Sequence, residues 1–176
     1  GWKINSNGIR EKNGIELKGE LLFLAGISDE ETLAIKICDD LMKIGIKLIP
    51  KNLERNSLYQ TISKGEFNAA LQTTYGLPYD PFLFISNLNK KNIGDNLVAQ
   101  GMINVEGSEN LVLDVNTMID DTEIQMQYKK ILTNLNNEAA LIPITFKKQS
   151  ILYNKEKIKG YDFYSIPSLY NIRNLI

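Results

Sequence analysis

The sequence predicts an α/β fold, a mixed β-sheet flanked by helices, on three observations. A helical stripe of Leu33, Ile37, Leu41 and Ile44 ends at Gly45 and runs straight into the alternating segment Ile46-Lys47-Leu48-Ile49-Pro50. A second helix–strand pair follows, ending in the apolar stretch from Phe67 to Thr73. The cleanest helical stripe, Ile124, Tyr128, Ile131 and Leu135, comes late in the chain. At 176 residues and 43% hydrophobic, the chain can enclose one sizeable core, so residues 1–176 are expected to form one domain.

The elements follow in order. Gly8-Ile9-Arg10 and Asn13-Gly14 flank a short charged piece, and Asn-Gly predicts a type I′ hairpin because both central residues need positive φ. Glu16 to Phe23 is expected as a strand, with Leu17, Leu21 and Phe23 as its apolar positions. Ser28 with Glu31 three residues on predicts a capping box at the start of the first helix. Gly45 ends that helix in the left-handed region, and Pro50 is expected near the end of the next strand. Asn56 or Ser57 caps a short helix that stops at Lys64-Gly65.

Asp80-Pro81 predicts an N-cap followed by the first residue of a helix carrying Phe82, Ile85 and Leu88. Asn87 to Asn96 is expected as a loop. Two further helices are expected over Glu109–Met118, with Leu111, Val115 and Met118 in register, and over Thr122–Asn137. Ala140 to Tyr153 is expected as a strand with a charged interruption at Lys147-Lys148. The aromatic tail from Gly160 is expected on a surface or at a sheet edge. There is no internal repeat and no low-complexity segment.

Composition narrows the function classes. Twenty basic and 21 acidic residues are well mixed, for a net charge of −1, which gives no electrostatic case for nucleic acid or an anionic membrane. The apolar run Glu20–Ile27 is far too short to span a bilayer. The chain begins at Gly1 rather than Met and is expected to be a fragment or processed product, so a missing targeting signal says nothing about location. Without a histidine, Ser-His-Asp and Cys-His catalysis and histidine-based zinc sites are impossible within the chain. Neither phosphate-binding glycine motif is present. The lone Cys38 sits in a helical pattern and is expected to be an apolar filler. Asp39-Asp40, Asp120-Asp121 and Glu30-Glu31 are expected on solvated helix faces or ends. No catalytic residue, metal ligand or prosthetic group is assigned. Asn5-Ser6-Asn7-Gly8 lacks the charged oxygens of a calcium loop and is explained by turn chemistry.

One segment stands apart: Thr73-Thr74-Tyr75-Gly76-Leu77-Pro78-Tyr79-Asp80-Pro81-Phe82. Two tyrosines, a glycine and two prolines share one stiff turn between apolar runs. A tyrosine offers a broad apolar face and one hydroxyl at low conformational cost, which suits a planar or polar ligand. The competing reading makes Tyr75 and Tyr79 aromatics that cover the end of the sheet. Thr74 can donate a hydroxyl hydrogen bond, though threonine is also a good strand residue. An enzyme using Tyr79 and Asp80 as acid and base is a rival reading from a different class.

Further residues carry a family likeness. Gly1-Trp2-Lys3, then Asn7-Gly8-Ile9-Arg10-Glu11-Lys12-Asn13-Gly14, resembles the start of the C-terminal lobe in solute-binding proteins of peptide/nickel ABC transporters, extracellular solute-binding protein family 5. Ile44-Gly45-Ile46-Lys47-Leu48 and Lys64-Gly65-Glu66-Phe67-Asn68 continue the likeness in order. Tyr75-Gly76-Leu77-Pro78-Tyr79-Asp80-Pro81 and the late run Tyr128–Ile144 look most like the nickel-binding branch.

The resemblance implies a type II periplasmic-binding-protein lobe, with the N-terminal lobe of the parent absent from this chain. It implies a binding component of an ABC importer that clasps nickel as a small-molecule chelate, or a dipeptide or oligopeptide, and delivers it to permease subunits. It implies a periplasmic protein, or a lipid-anchored one on the outer face of the cytoplasmic membrane. Tyr75 matches an aromatic of the cleft, often Trp in relatives, and Tyr79 matches a cleft tyrosine. Thr74, Pro78 and Asn92 are expected beside them. Some nickel-binding relatives place a histidine a dozen or so residues past the turn, where Asn87 to Asn96 has none. In the peptide-binding branch an acid in this turn holds the ligand's amino group, whereas Leu77 and Pro78 stand here.

Overall fold

A computed structural model describes residues 1–73, 81–88, 108–146 and 150–160. It opens with a small antiparallel sheet of β1 (Lys3–Ile4), β2 (Arg10–Lys12) and β3 (Ile15–Glu16), in that order. Asn13 and Gly14 join β2 to β3 at φ of 53° and 78°, as a type I′ hairpin requires. The register sets Glu11 opposite Glu16, a like-charge pair that would repel. Asn5 relieves it: its Nδ2 donates to Glu16 Oε1 at 2.9 Å and to Glu11 Oε2 at 3.3 Å. That hydrogen bond, and then Lys18, hold the Glu16 carboxyl below its usual range.

The strand expected over Glu16–Phe23 is divided at Leu17. The Leu17 N–H donates to Arg10 of the small sheet, while its carbonyl accepts from Lys47 of the main sheet. The chain then forms β4 (Lys18–Leu24), the centre of a second sheet. With β5 (Lys47–Leu53) and β6 (Ala69–Ala70) the order is β5-β4-β6, both pairings parallel. Leu21, Leu22 and Phe23 are all less than 5% exposed, because a central parallel strand is covered on both faces.

Helix α1 (Ser28–Met42) covers the Leu21/Phe23 face with Ala34 and Cys38. Helix α2 (Arg55–Ser63) covers the Leu22 face with Leu58 and Ile62. Cys38 is the apolar filler expected, with its thiol pKa pushed up by burial and then by Asp39.

Several expectations are corrected. The capping box does not form: Ile27 is the N-cap, no side chain caps α1, and the Glu31 N–H donates to the Ile27 carbonyl. Three acids in the first turn meet the helix dipole instead. The deepest positions of α1 are Ala34 and Cys38, since small residues let the helix approach the sheet, while Ile44 lies past the helix and is half exposed. α2 starts after Glu54, with neither Asn56 nor Ser57 as its cap. β5 continues three residues beyond Pro50. Among the described residues β5 is an edge strand, and the Lys47 N–H points to β4, so the alternate position of Pro50 faces outward and loses no ladder bond. Of Phe67–Thr73 only Ala69–Ala70 are strand, although the Leu71 N–H still reaches the Leu22 carbonyl.

The second half is helical among the described residues. α3 (Pro81–Asn87), α4 (Ser108–Val115) and α5 (Asp121–Asn137) enclose a core of Ile85, Leu88, Val112, Val115, Tyr128, Ile131 and Leu135. Pro81 is the first residue of α3, as expected, but Phe82 is half exposed. α4 stops at Val115 rather than Met118. The α5 stripe forms as read and gains Gln127, whose Nε2 donates to the Leu111 carbonyl at 3.3 Å. Asp120 caps α5 by accepting the Glu123 N–H at 3.0 Å.

No strand forms among the described residues of Ala140–Tyr153. A strand needs a partner ladder, and here Ala140 donates back to Leu135 at the end of α5 while Phe146 and Leu152 stand fully exposed. Lys147, Lys148 and most of the tail from Gly160 lie outside the described residues.

Candidate functional site

Thr74, Tyr75, Pro78, Tyr79 and Asn92 all lie outside the described residues, and so does Asp80. What is described is the frame on either side of the tyrosine turn. On one side, β6 leads through Leu71-Gln72-Thr73, held to β4 by the 2.8 Å bond from the Leu71 N–H to Leu22. On the other, Pro81 begins α3, whose Ile85 and Leu88 are fixed in the helical core. Both ends of the turn are thus anchored.

Topology gives this frame a second property. β4, β5 and β6 are parallel, so their carboxyl ends lie together. α1 carries the chain from β4 to one neighbour across one face, and α2 carries it to the opposite neighbour across the other. The winding direction therefore reverses between β4 and β6. In open α/β sheets that is where ligands bind. The tyrosine turn leaves from this end of β6.

The Ala25-Gly26 turn leaves β4 at the same end, with Gly26 at φ +82°. Glu30 folds back here, its Oε2 accepting the Leu24 N–H at 3.4 Å. Sequence reasoning passed over this turn. The available signal was a continuous apolar run, Leu21-Leu22-Phe23-Leu24, ending at Gly26 just before a helix, the mark of a central parallel strand.

The paired carboxylates have structural uses. Asp40 accepts from Lys36 and Lys43, both at 2.6 Å, which holds its carboxyl down to about 2. Asp120 is a helix cap. Among the described residues no group of three or more His, Cys, Asp or Glu is placed to hold a metal ion. No helix among them is long and apolar enough to cross a membrane. An open groove of about 470 Å³ runs along α5 beside Pro81, lined by Tyr128, Lys129, Leu132 and Thr133.

No family model matches the chain. Over 157 residues it is 30% identical to the nickel-binding periplasmic protein of Escherichia coli K12, covering 89% of this chain and 30% of that one. Its structure is similar to NikA from Brucella suis, solved with Fe(III)-EDTA: TM-score 0.70, 30% identity, 80% of this chain and 28% of that one. The oligopeptide-binding protein AppA of Bacillus subtilis, solved with a nonapeptide, shares the fold at TM-score 0.60 and 22% identity, over 80% of this chain and 28% of that one.

The fold is that of the type II periplasmic binding proteins, and in sequence the chain is similar to part of proteins of the nickel-binding kind. Among those proteins stands a nickel-binding periplasmic protein, of which the chain spans about 30% of the length.

Proposed function

We propose that this chain is the C-terminal lobe of the solute-binding component of an ABC importer, and that its cargo is nickel held in a small-molecule chelate. The observation that carries this is the 30% identity over 157 residues to a nickel-binding periplasmic protein. The chain contains no histidine. A metal that arrives already coordinated needs shape, aromatic contact and a few hydrogen bonds from the protein rather than strong ligands. Nickel is satisfied by nitrogen and oxygen donors that an amino-acid chelator supplies.

In this reading Tyr75 and Tyr79 form the aromatic wall, Thr74 and Pro78 each stand just before one of them and line the site beside it, and Asn92 closes over the ligand. The lobe performs no catalysis. An N-terminal lobe of the same parent supplies the facing half of the cleft and the positive charge for the chelator's carboxylates. Closure of the two lobes presents the loaded form to the permease subunits. The setting is the periplasm, or the outer face of the cytoplasmic membrane for a lipid-anchored parent.

Calorimetry on the whole parent protein tests this with free nickel, nickel with histidine, and short peptides. The expected result is tight binding of nickel–histidine and a weaker response to the free ion. Tight peptide binding with no response to nickel in either form overturns the nickel reading and makes the protein a peptide carrier.

A further inference from the structure

The β4–β6 register pairs Leu22 with Ala70, so continuing it by three residues sets Ala25 level with Thr73. The two chain ends leave the sheet side by side at the point where its winding reverses. Gly26 comes next in the β4 branch. It is exposed, its φ is +82°, and among the described residues nothing lies within 4 Å of a Cβ built on it. A side chain there would project into open space instead of into the core.

We infer that Ala25, Gly26 and Thr73 form the floor of the ligand crevice, and that the bare backbone of Gly26 leaves room for the edge of a compact small-molecule ligand. The ligand class rests on the nickel-chelate reading above, but the location does not: it follows from strand direction, helix sides and register. Thr73 is the last described residue before the tyrosine segment, so this floor lies next to it in the chain.

Three glycines make the test clean. Gly8 and Gly14 have φ of +76° and +78°, also with nothing within 4 Å, but they belong to the small antiparallel sheet. Asparagine tolerates the left-handed region, so Gly→Asn adds a side chain at little backbone cost. In the whole parent protein, Gly26→Asn and Gly14→Asn are each titrated with free nickel, nickel–histidine and trialanine, and their thermal midpoints are compared. The expected result is affinity reduced at least ~10-fold in Gly26→Asn and unchanged in Gly14→Asn, with midpoints alike, because an added side chain in a filled site costs a kcal/mol or more of binding. Equal affinities in the two variants overturn the floor. If trialanine is the ligand and Gly26→Asn weakens it, the floor stands and the nickel reading falls. Binding of none of the three probes overturns both.

Discussion

The two halves of this molecule solve the burial problem differently. In the sheet half, one strand does most of the work: β4 sends Leu21 and Phe23 under α1 and Leu22 under α2, giving, among the described residues, two thin cores of four and three buried residues. In the helical half, α3, α4 and α5 share one core of seven. The sheet half is therefore held by register and by a few close backbone approaches. The helical half is held by interdigitating side chains. The tyrosine segment links these two kinds of scaffold, with the β6 ladder before it and the packed helix α3 after it.

Deleting a hub on each side gives the largest effects. Leu22→Ala and Ile131→Ala remove side chains that are each 1% exposed, and each is expected to cost about 2–5 kcal/mol in urea unfolding. Leu22→Ala is expected at the upper end, since among the described residues its cluster has two other buried members to close the cavity. Hydrogen exchange should then show α2 amides loosened by Leu22→Ala, and amides of all three later helices loosened by Ile131→Ala. Loss spread evenly over the whole chain in both variants would break the comparison.

Backbone and cap positions sharpen it at a smaller scale. Gly45 has φ +81°, and an added Cβ would lie 3.0 Å from Arg10 Cγ and 3.2 Å from the Gly8 carbonyl oxygen. The same residue joins the small sheet to the main one, because its carbonyl accepts the Arg10 N–H at 2.7 Å. Gly45→Ala is expected to cost about 1–3 kcal/mol, and Asp120→Ala, which removes a cap from α5, about 1 kcal/mol. Thermal unfolding of the two variants side by side checks that order.

The smallest effect belongs to the surface. Asp40 is held down to about 2 by Lys36 and Lys43. Its folded pKa is depressed, so its contribution is present above the ordinary carboxylate range and lost as pH falls through about 2. Asp40→Asn is therefore expected to lower the midpoint slightly at neutral pH and not at all near pH 2. High salt should erase even the neutral-pH difference, because exposed pairs are screened.

What was legible in the sequence follows the same division. The α5 stripe was read correctly because a single face of a long helix carries it. The Asn13-Gly14 hairpin and the Gly45 stop were read because positive φ leaves a local mark. The caps of α1 and α2 were misread, since Ser28, Asn56 and Ser57 can be inside a helix as well as before it. The strand over Ala140–Tyr153 was misread because alternation records a preference, while a strand also needs a partner that the local sequence does not name. At the candidate site, composition and resemblance single out Tyr75 and Tyr79, which lie outside the described residues. The Ala25-Gly26 turn was missed because its importance comes from the order of strands, a property of three segments together.

Pro50 matters beyond its own place in the ladder. Among the described residues no strand pairs with the outer side of β5, the longer of the two flanking strands, and Pro50 offers no donor midway along it. Lys47 and Lys51 add charge to the same strand. A stray strand from another molecule would find an incomplete template there and would have to desolvate lysines to reach it. Among the described residues this edge therefore offers a poor template for a further strand.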